Sequence, residues 1–151
     1  MDGTEYTQST ALLRYAGKLA GLLPEDPLTA LKVDEIVMTA EDIVIAIATT
    51  VREEDPQKQV EMRQALAAGK IKGFMEGLEA KLQANPSSPY FVGDSLTIAD
   101  LMMHGVVATF ESGLFEGFSP TIVEDISPAL KEHEDAVLEH PKVKEYYASK
   151  K

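Results

Sequence analysis

Gly93-Asp94-Ser95-Leu96-Thr97-Ile98-Ala99-Asp100-Leu101 writes out the start of a helix. Thr97 is the natural N-cap and Asp100 stands three residues on, so hydroxyl and carboxylate can each take up a backbone donor that the helix leaves unpaired. Leu96 and Leu101 flank them at the N′ and N4 positions, the spacing of a hydrophobic staple that fixes the angle of entry. From Thr97 to Glu111 the chain is apolar nearly all round, with Ile98, Leu101, Met102, Met103, Val106, Val107 and Phe110. Such a helix is predicted to lie in the middle of the structure.

Working outward, Asp26-Pro27, Asp55-Pro56 and Ser127-Pro128 each place a capping residue before a proline at the first helical position, where the missing amide hydrogen costs nothing. From Asp26 the apolar residues Val33, Ile36, Val37, Ala40, Ile43, Val44, Ile47 and Val51 step by three and four, which predicts a long helix over about 27–52. After Asp55 a similar series runs through Leu66, Ile71, Phe74, Met75, Leu78 and Leu82, with Gly69 and Gly73 as points of bending, and stops before Asn85-Pro86. The Asn85–Pro89 turn cluster and the short apolar run Tyr90-Phe91-Val92 lead into the capping box. Ser112 to Ser119, carrying Gly113 and Gly117, ends the central helix. Helices over about 128–139 and 141–148 close the chain, the last turning Val143, Tyr146 and Tyr147 inward. Near the start, Thr7-Gln8-Ser9-Thr10 precedes an apolar series that Gly21 stops, predicting a helix over about 9–20. No strand alternation or internal repeat stands out, so the fold class read from the sequence is all-α.

The 151 residues fit one domain, large enough to bury about 68–70% of the surface its unfolded form exposes. A formal charge of −11 repels phosphate backbones and argues against nucleic acid as a partner. No uncharged apolar run reaches the length that spans a bilayer, and no basic-then-apolar leader opens the sequence, so neither a membrane nor a secretory route is expected. The absence of cysteine excludes disulfides and thiolate chemistry and fits a cytoplasmic location.

Few residues offer chemistry. Of the three histidines, His104 reads as a core residue with its nitrogens bonded, while His133 sits in the charged run Lys131-Glu132-His133-Glu134-Asp135, which is expected to face solvent. His133 and His140 are two helical turns apart, too far to share a metal, and no metal site is expected. Carboxylate neighbours such as Glu41-Asp42 and Glu53-Glu54 read as solvated faces. Thr7-Gln8-Ser9 survives this screen: at a helix N-terminus the backbone amides, the serine hydroxyl and the glutamine amide could form a pocket for a carboxylate or phosphate. Spacing alone favours a plain cap over that pocket.

These motifs converge on a known family. Asp2-Gly3 followed by Thr7-Gln8-Ser9-Thr10-Ala11-Leu12-Leu13-Arg14-Tyr15 resembles the end of the N-terminal domain of a glutathione S-transferase, and Gly93 to Asp100 resembles the signature that opens the central helix of that family's C-terminal domain. His140-Pro141-Lys142-Val143 is similar to its closing pattern. The resemblance covers about residues 2–148 and is nearest to the sigma, alpha and pi branch of the cytosolic enzymes. It implies a helical bundle of the C-terminal type at 23–151, preceded at 1–22 by a remnant of a thioredoxin-like domain that is otherwise mostly absent.

By the same resemblance, Gln8 and Ser9 would bind the γ-glutamyl end of glutathione, the co-substrate. Asp42 would reach across a homodimer towards the partner's glutathione. Arg52 stands where an aromatic often lines the electrophile pocket. Tyr6 is refused the role of the family's catalytic tyrosine, because it directly precedes Gln8-Ser9 at the far end of that domain. A glutathione thiol has an ordinary pKa near that of free cysteine, about 8.5, so without a donor at the sulfur little thiolate forms at neutral pH. The expectation is a glutathione S-transferase-like protein, inactive as this chain alone, with no catalytic residue assigned and weak glutathione binding. The alternative is a non-catalytic interaction module, with exposed apolar surface that favours self-association.

Overall fold

The computed structural model describes residues 3–150; Met1, Asp2 and Lys151 lie outside the described residues, and with them the Asp2 of the Asp2-Gly3 pair. Among the described residues every regular element is helical: α1 (Ser9–Ala20), α2 (Pro27–Val51), α3 (Pro56–Leu66), a π turn (Ala67–Ile71), α4 (Lys72–Gln83), α5 (Ile98–Glu111), α6 (Ile122–Ile126), α7 (Pro128–Glu139) and α8 (Pro141–Ala148). The three caps that precede a proline behave as the sequence predicts. The Asp26 carboxylate accepts from the Thr29 amide at 2.8 Å, that of Asp55 from the Gln57 amide at 2.9 Å, and the Ser127 hydroxyl from the Leu130 amide at 3.3 Å. At the end of α1, Gly21 takes φ 70° and lets the Leu22 amide donate back to the Gly17 carbonyl at 2.8 Å.

α5 packs against α1, α2, α6 and α7 and supplies the centre of the core through Ile98, Ala99, Met103, Val106, Val107 and Phe110. The α2 face built from Val33, Ile36, Val37, Ala40, Ile43 and Ile47 lies on it. The burial of α5 is not complete: Gly105 and Ala108 reach the surface, small residues that expose little apolar area. A smaller cluster of Leu96, Val137 and Val143, with Leu101 against it, forms around the staple and ties α8 to the start of α5.

Four expectations need correction. The helix after Asp55 is broken by the π turn, because Leu66 and Ile71 both face the core five residues apart, one more than a regular turn accommodates. α6 was not anticipated, being a single short helix between the Ser112–Ser119 break and Ser127-Pro128, where no element was expected. Val44 and Val51 stand outside the apolar face of α2, 43% and 55% exposed. Tyr146 and Tyr147 stay 53% and 44% exposed where Val143 is buried, since an eight-residue helix at the rim buries one edge only, although the Tyr147 hydroxyl reaches in to His104.

Candidate functional site

Gln8 is the N-cap of α1 with φ 75° and ψ 100°, the one non-glycine residue with positive φ among the described residues. A side chain in that region costs about 1–3 kcal/mol, a strain that clusters at ligand sites. No side chain caps α1. Among the described residues no side-chain bond forms the plain cap that the spacing favoured, and Gln8 and Ser9 stand exposed at the first turn of α1. Only Leu12 donates back, to the Gln8 carbonyl at 3.1 Å.

α1 is held on the helical bundle by Leu13, which packs against the core, and by two further contacts. Gly17 lies against Ile98 at the head of α5, and Arg14 pairs with Asp34 on α2. Asp42 lies two turns beyond Asp34, about 12 Å along the helix. It is exposed, and no hydrogen bond or ion pair joins it to α1. Within one chain the structure thus places Gln8 and Ser9 together and Asp42 apart from them. Tyr6 is exposed, and Arg52 caps α2 in the exposed turn before Asp55.

The polar interior lies elsewhere: the sequence reading paired Thr97 with Asp100 and took His104 as a core residue with its nitrogens bonded, as found, but missed their partners on α7. Asp100 is fully buried and accepts four bonds: from the Phe91 amide at 3.0 Å, the Thr97 amide at 2.7 Å, the Thr97 hydroxyl at 2.8 Å and His133 Nε2 at 3.0 Å. The Thr97 hydroxyl in turn accepts from the Ala99 amide at 3.2 Å, and the Ile98 amide donates to the Leu22 carbonyl at 3.0 Å. Every free donor at the head of α5 down to Ala99 is thereby satisfied. His133 and Glu134 are each 1% exposed, correcting the expectation that their charged run faces solvent. They survive burial because α5 meets them in crossed order: Asp100 takes His133, and His104 takes Glu134 through Nδ1 at 2.7 Å. The hydrogen bond that His104 donates to Glu134 is the main cause holding His104 above its usual 6.5, with burial opposing. Sequence offered one signal of this pairing, the i, i+4 spacing of Asp100 and His104 on a single face.

Among the described residues no group of three potential ligands could hold a metal ion. Nor, among the described residues, is any helix long and apolar enough to cross a membrane.

The chain is 29% identical to glutathione S-transferase 3 of Caenorhabditis elegans, over 99% of its own length and 71% of that protein's. Among solved structures it is similar to the monomeric glutathione S-transferase Na-GST-3 of the hookworm Necator americanus, with a TM-score of 0.77 and 26% identity, covering all of this chain and 72% of that one. It shares the fold of prostaglandin synthase D of Nilaparvata lugens at a TM-score of 0.79 and 23% identity, over 98% of this chain and 70% of that one. The family model for the glutathione S-transferase C-terminal domain matches residues 41–150, the stretch that holds the capping box, the central helix and the buried pairs. On that match, the chain belongs to the glutathione S-transferase family.

Proposed function

We propose that this chain serves the family reaction, conjugation of glutathione to an electrophile, by contributing the γ-glutamyl half of a glutathione site at Gln8 and Ser9. The observation that carries this reading is the strained, uncapped N-terminus of α1, which leaves its first amide donors beside an exposed hydroxyl and carboxamide, groups suited to an anion. The relatives above are enzymes by name, which favours this reading over an interaction module. Residues 1–22 act as the remnant of the glutathione-binding domain and 23–151 as the helical domain. Asp42, exposed on α2, reaches the site of a second copy in a homodimer. That dimer is further supported by the exposed Leu31, Met38 and Ile45, which recur at seven-residue intervals along α2. The location is cytoplasmic.

These 151 residues by themselves are proposed not to conjugate, since Tyr6 lies beside the γ-glutamyl contact rather than at the sulfur. Calorimetric titration with glutathione tests the half-site. Binding near millimolar, about −4 kcal/mol, is expected, and it disappears in Gln8→Ala combined with Ser9→Ala. Binding that survives the double substitution places glutathione elsewhere. Conjugation of a standard electrophile by the purified chain above the uncatalysed rate overturns the inactivity. Light scattering reports the dimer.

A further inference from the structure

Glu134 of α7, His104 of α5 and Tyr147 of α8 form a hydrogen-bonded line away from α1. Glu134 Oε1 meets His104 Nδ1 at 2.7 Å, and His104 Nε2 meets the Tyr147 hydroxyl at 2.7 Å. The line runs from a buried carboxylate, through an imidazole only 12% exposed, to a phenol that is 44% exposed. Carboxylate, imidazole and hydroxyl in this order, each within hydrogen-bond reach of the next, are the parts that activate a hydroxyl nucleophile. The phenol also borders a groove of about 290 Å³ whose other walls include Leu22, Leu96, Leu101 and Val143.

The protonation state follows from the partners. Glu134 is an acceptor, so the neutral imidazole carries its proton on Nδ1 and presents a bare Nε2 to the phenol. We propose that Tyr147 is a nucleophilic phenol and a site of covalent acylation by activated esters of small apolar acids. The Tyr147 oxygen attacks the ester carbonyl and forms the new C–O bond. The ester C–O bond breaks, and the leaving group departs with its electron pair. The phenolic proton passes to His104 Nε2, and Glu134 holds the imidazolium that results. The groove seats the acyl chain.

The groups that act on His104 are Glu134 from α7, Tyr147 from α8 and Glu111 along α5, while Lys142 and Tyr146 of α8 share its groove. Both carboxylates favour the imidazolium, so the competent neutral form grows as pH rises above 6.5.

The test treats the whole chain with p-nitrophenyl acetate and maps acetylation residue by residue by mass spectrometry. Tyr146 is the internal standard, because at 53% exposed it is more accessible than its neighbour. Tyr147 is expected to acetylate about tenfold or more faster than Tyr146, with a rate that rises through one ionisation above pH 6.5. His104→Asn should bring Tyr147 down to the rate of Tyr146 and flatten the pH profile. If that variant does not fold, Glu134→Gln serves, and should move the inflection to lower pH. Equal labelling of the two tyrosines overturns the proposal, as does undiminished labelling in folded His104→Asn or an unmoved profile in Glu134→Gln.

Discussion

Gly17 of α1 lies so close to Ile98, the first residue of α5, that a β-carbon on Gly17 would overlap Ile98 Cγ2. With the bond from the Ile98 amide to the Leu22 carbonyl, this contact seats the proposed glutathione half-site on the central helix. Gly17→Ala should therefore lower stability by about 1–3 kcal/mol through overpacking, despite alanine's better helix propensity. Urea unfolding checks the stability, and hydrogen exchange should show the amides of α1 opening first.

Thr97 and Asp100 share the capping box but not its weight. Thr97→Ala removes one cap and should cost about 1 kcal/mol. Asp100→Ala strands the Phe91 and Thr97 amides and His133 Nε2 together, and should cost about 3 kcal/mol or more. Equal midpoints for the two variants in urea would show that Asp100 does no more than cap.

The raised His104 value makes stability depend on pH in one direction. A group whose folded value lies above its unfolded one binds its proton more tightly in the native state, so its contribution is fully present below about 6.5 and is lost as pH rises through the folded value. Denaturation midpoints should fall across that window, and His104→Gln should remove this part of the slope. The imidazole proton resonance of His104, followed by NMR, should titrate above 6.5.

Arg63 is 6% exposed and donates to the Thr50 hydroxyl at 3.1 Å, the Glu116 carbonyl at 2.9 Å and Gln59 Oε1 at 3.1 Å, fastening α2 and α3 to the loop after α5. That loop approaches through Gly117, whose φ is 105° and whose added Cβ would stand 3.0 Å from the Val60 carbonyl. Arg63→Lys keeps the charge but cannot reproduce the fork of donors, and should cost about 1–3 kcal/mol. Gly117→Ala should cost a similar amount, about 1–3 kcal/mol, through backbone strain and overpacking. Thermal unfolding of both variants measures it.

Most of the helices are legible in the sequence because their signals are local: α1 is read at 9–20 from its apolar series and Gly21 stop and found at Ser9–Ala20, and α7 and α8 are likewise found where the spacing puts them. The π turn leaves a trace in the five-residue step from Leu66 to Ile71, but only packing on the core shows that both residues must face the same way. The polar interior is another matter. Lys131-Glu132-His133-Glu134-Asp135 reads as a solvated face, since burying its middle residues costs more than any local interaction returns. Their partners, Asp100 and His104, lie about 30 residues away along the chain.

By itself the sequence determined the helices other than α6, their order and the central place of the segment from Thr97 to Glu111, because capping, proline placement and apolar periodicity act over a few residues, while the family showed in the resemblance of three of its motifs. Only the tertiary structure decided that Gln8 stands strained and uncapped, that Asp42 lies apart from it, and that two acid–imidazole pairs cross between α5 and α7. Each of those depends on which side chains another helix brings within hydrogen-bond reach, and no spacing along a single helix specifies that.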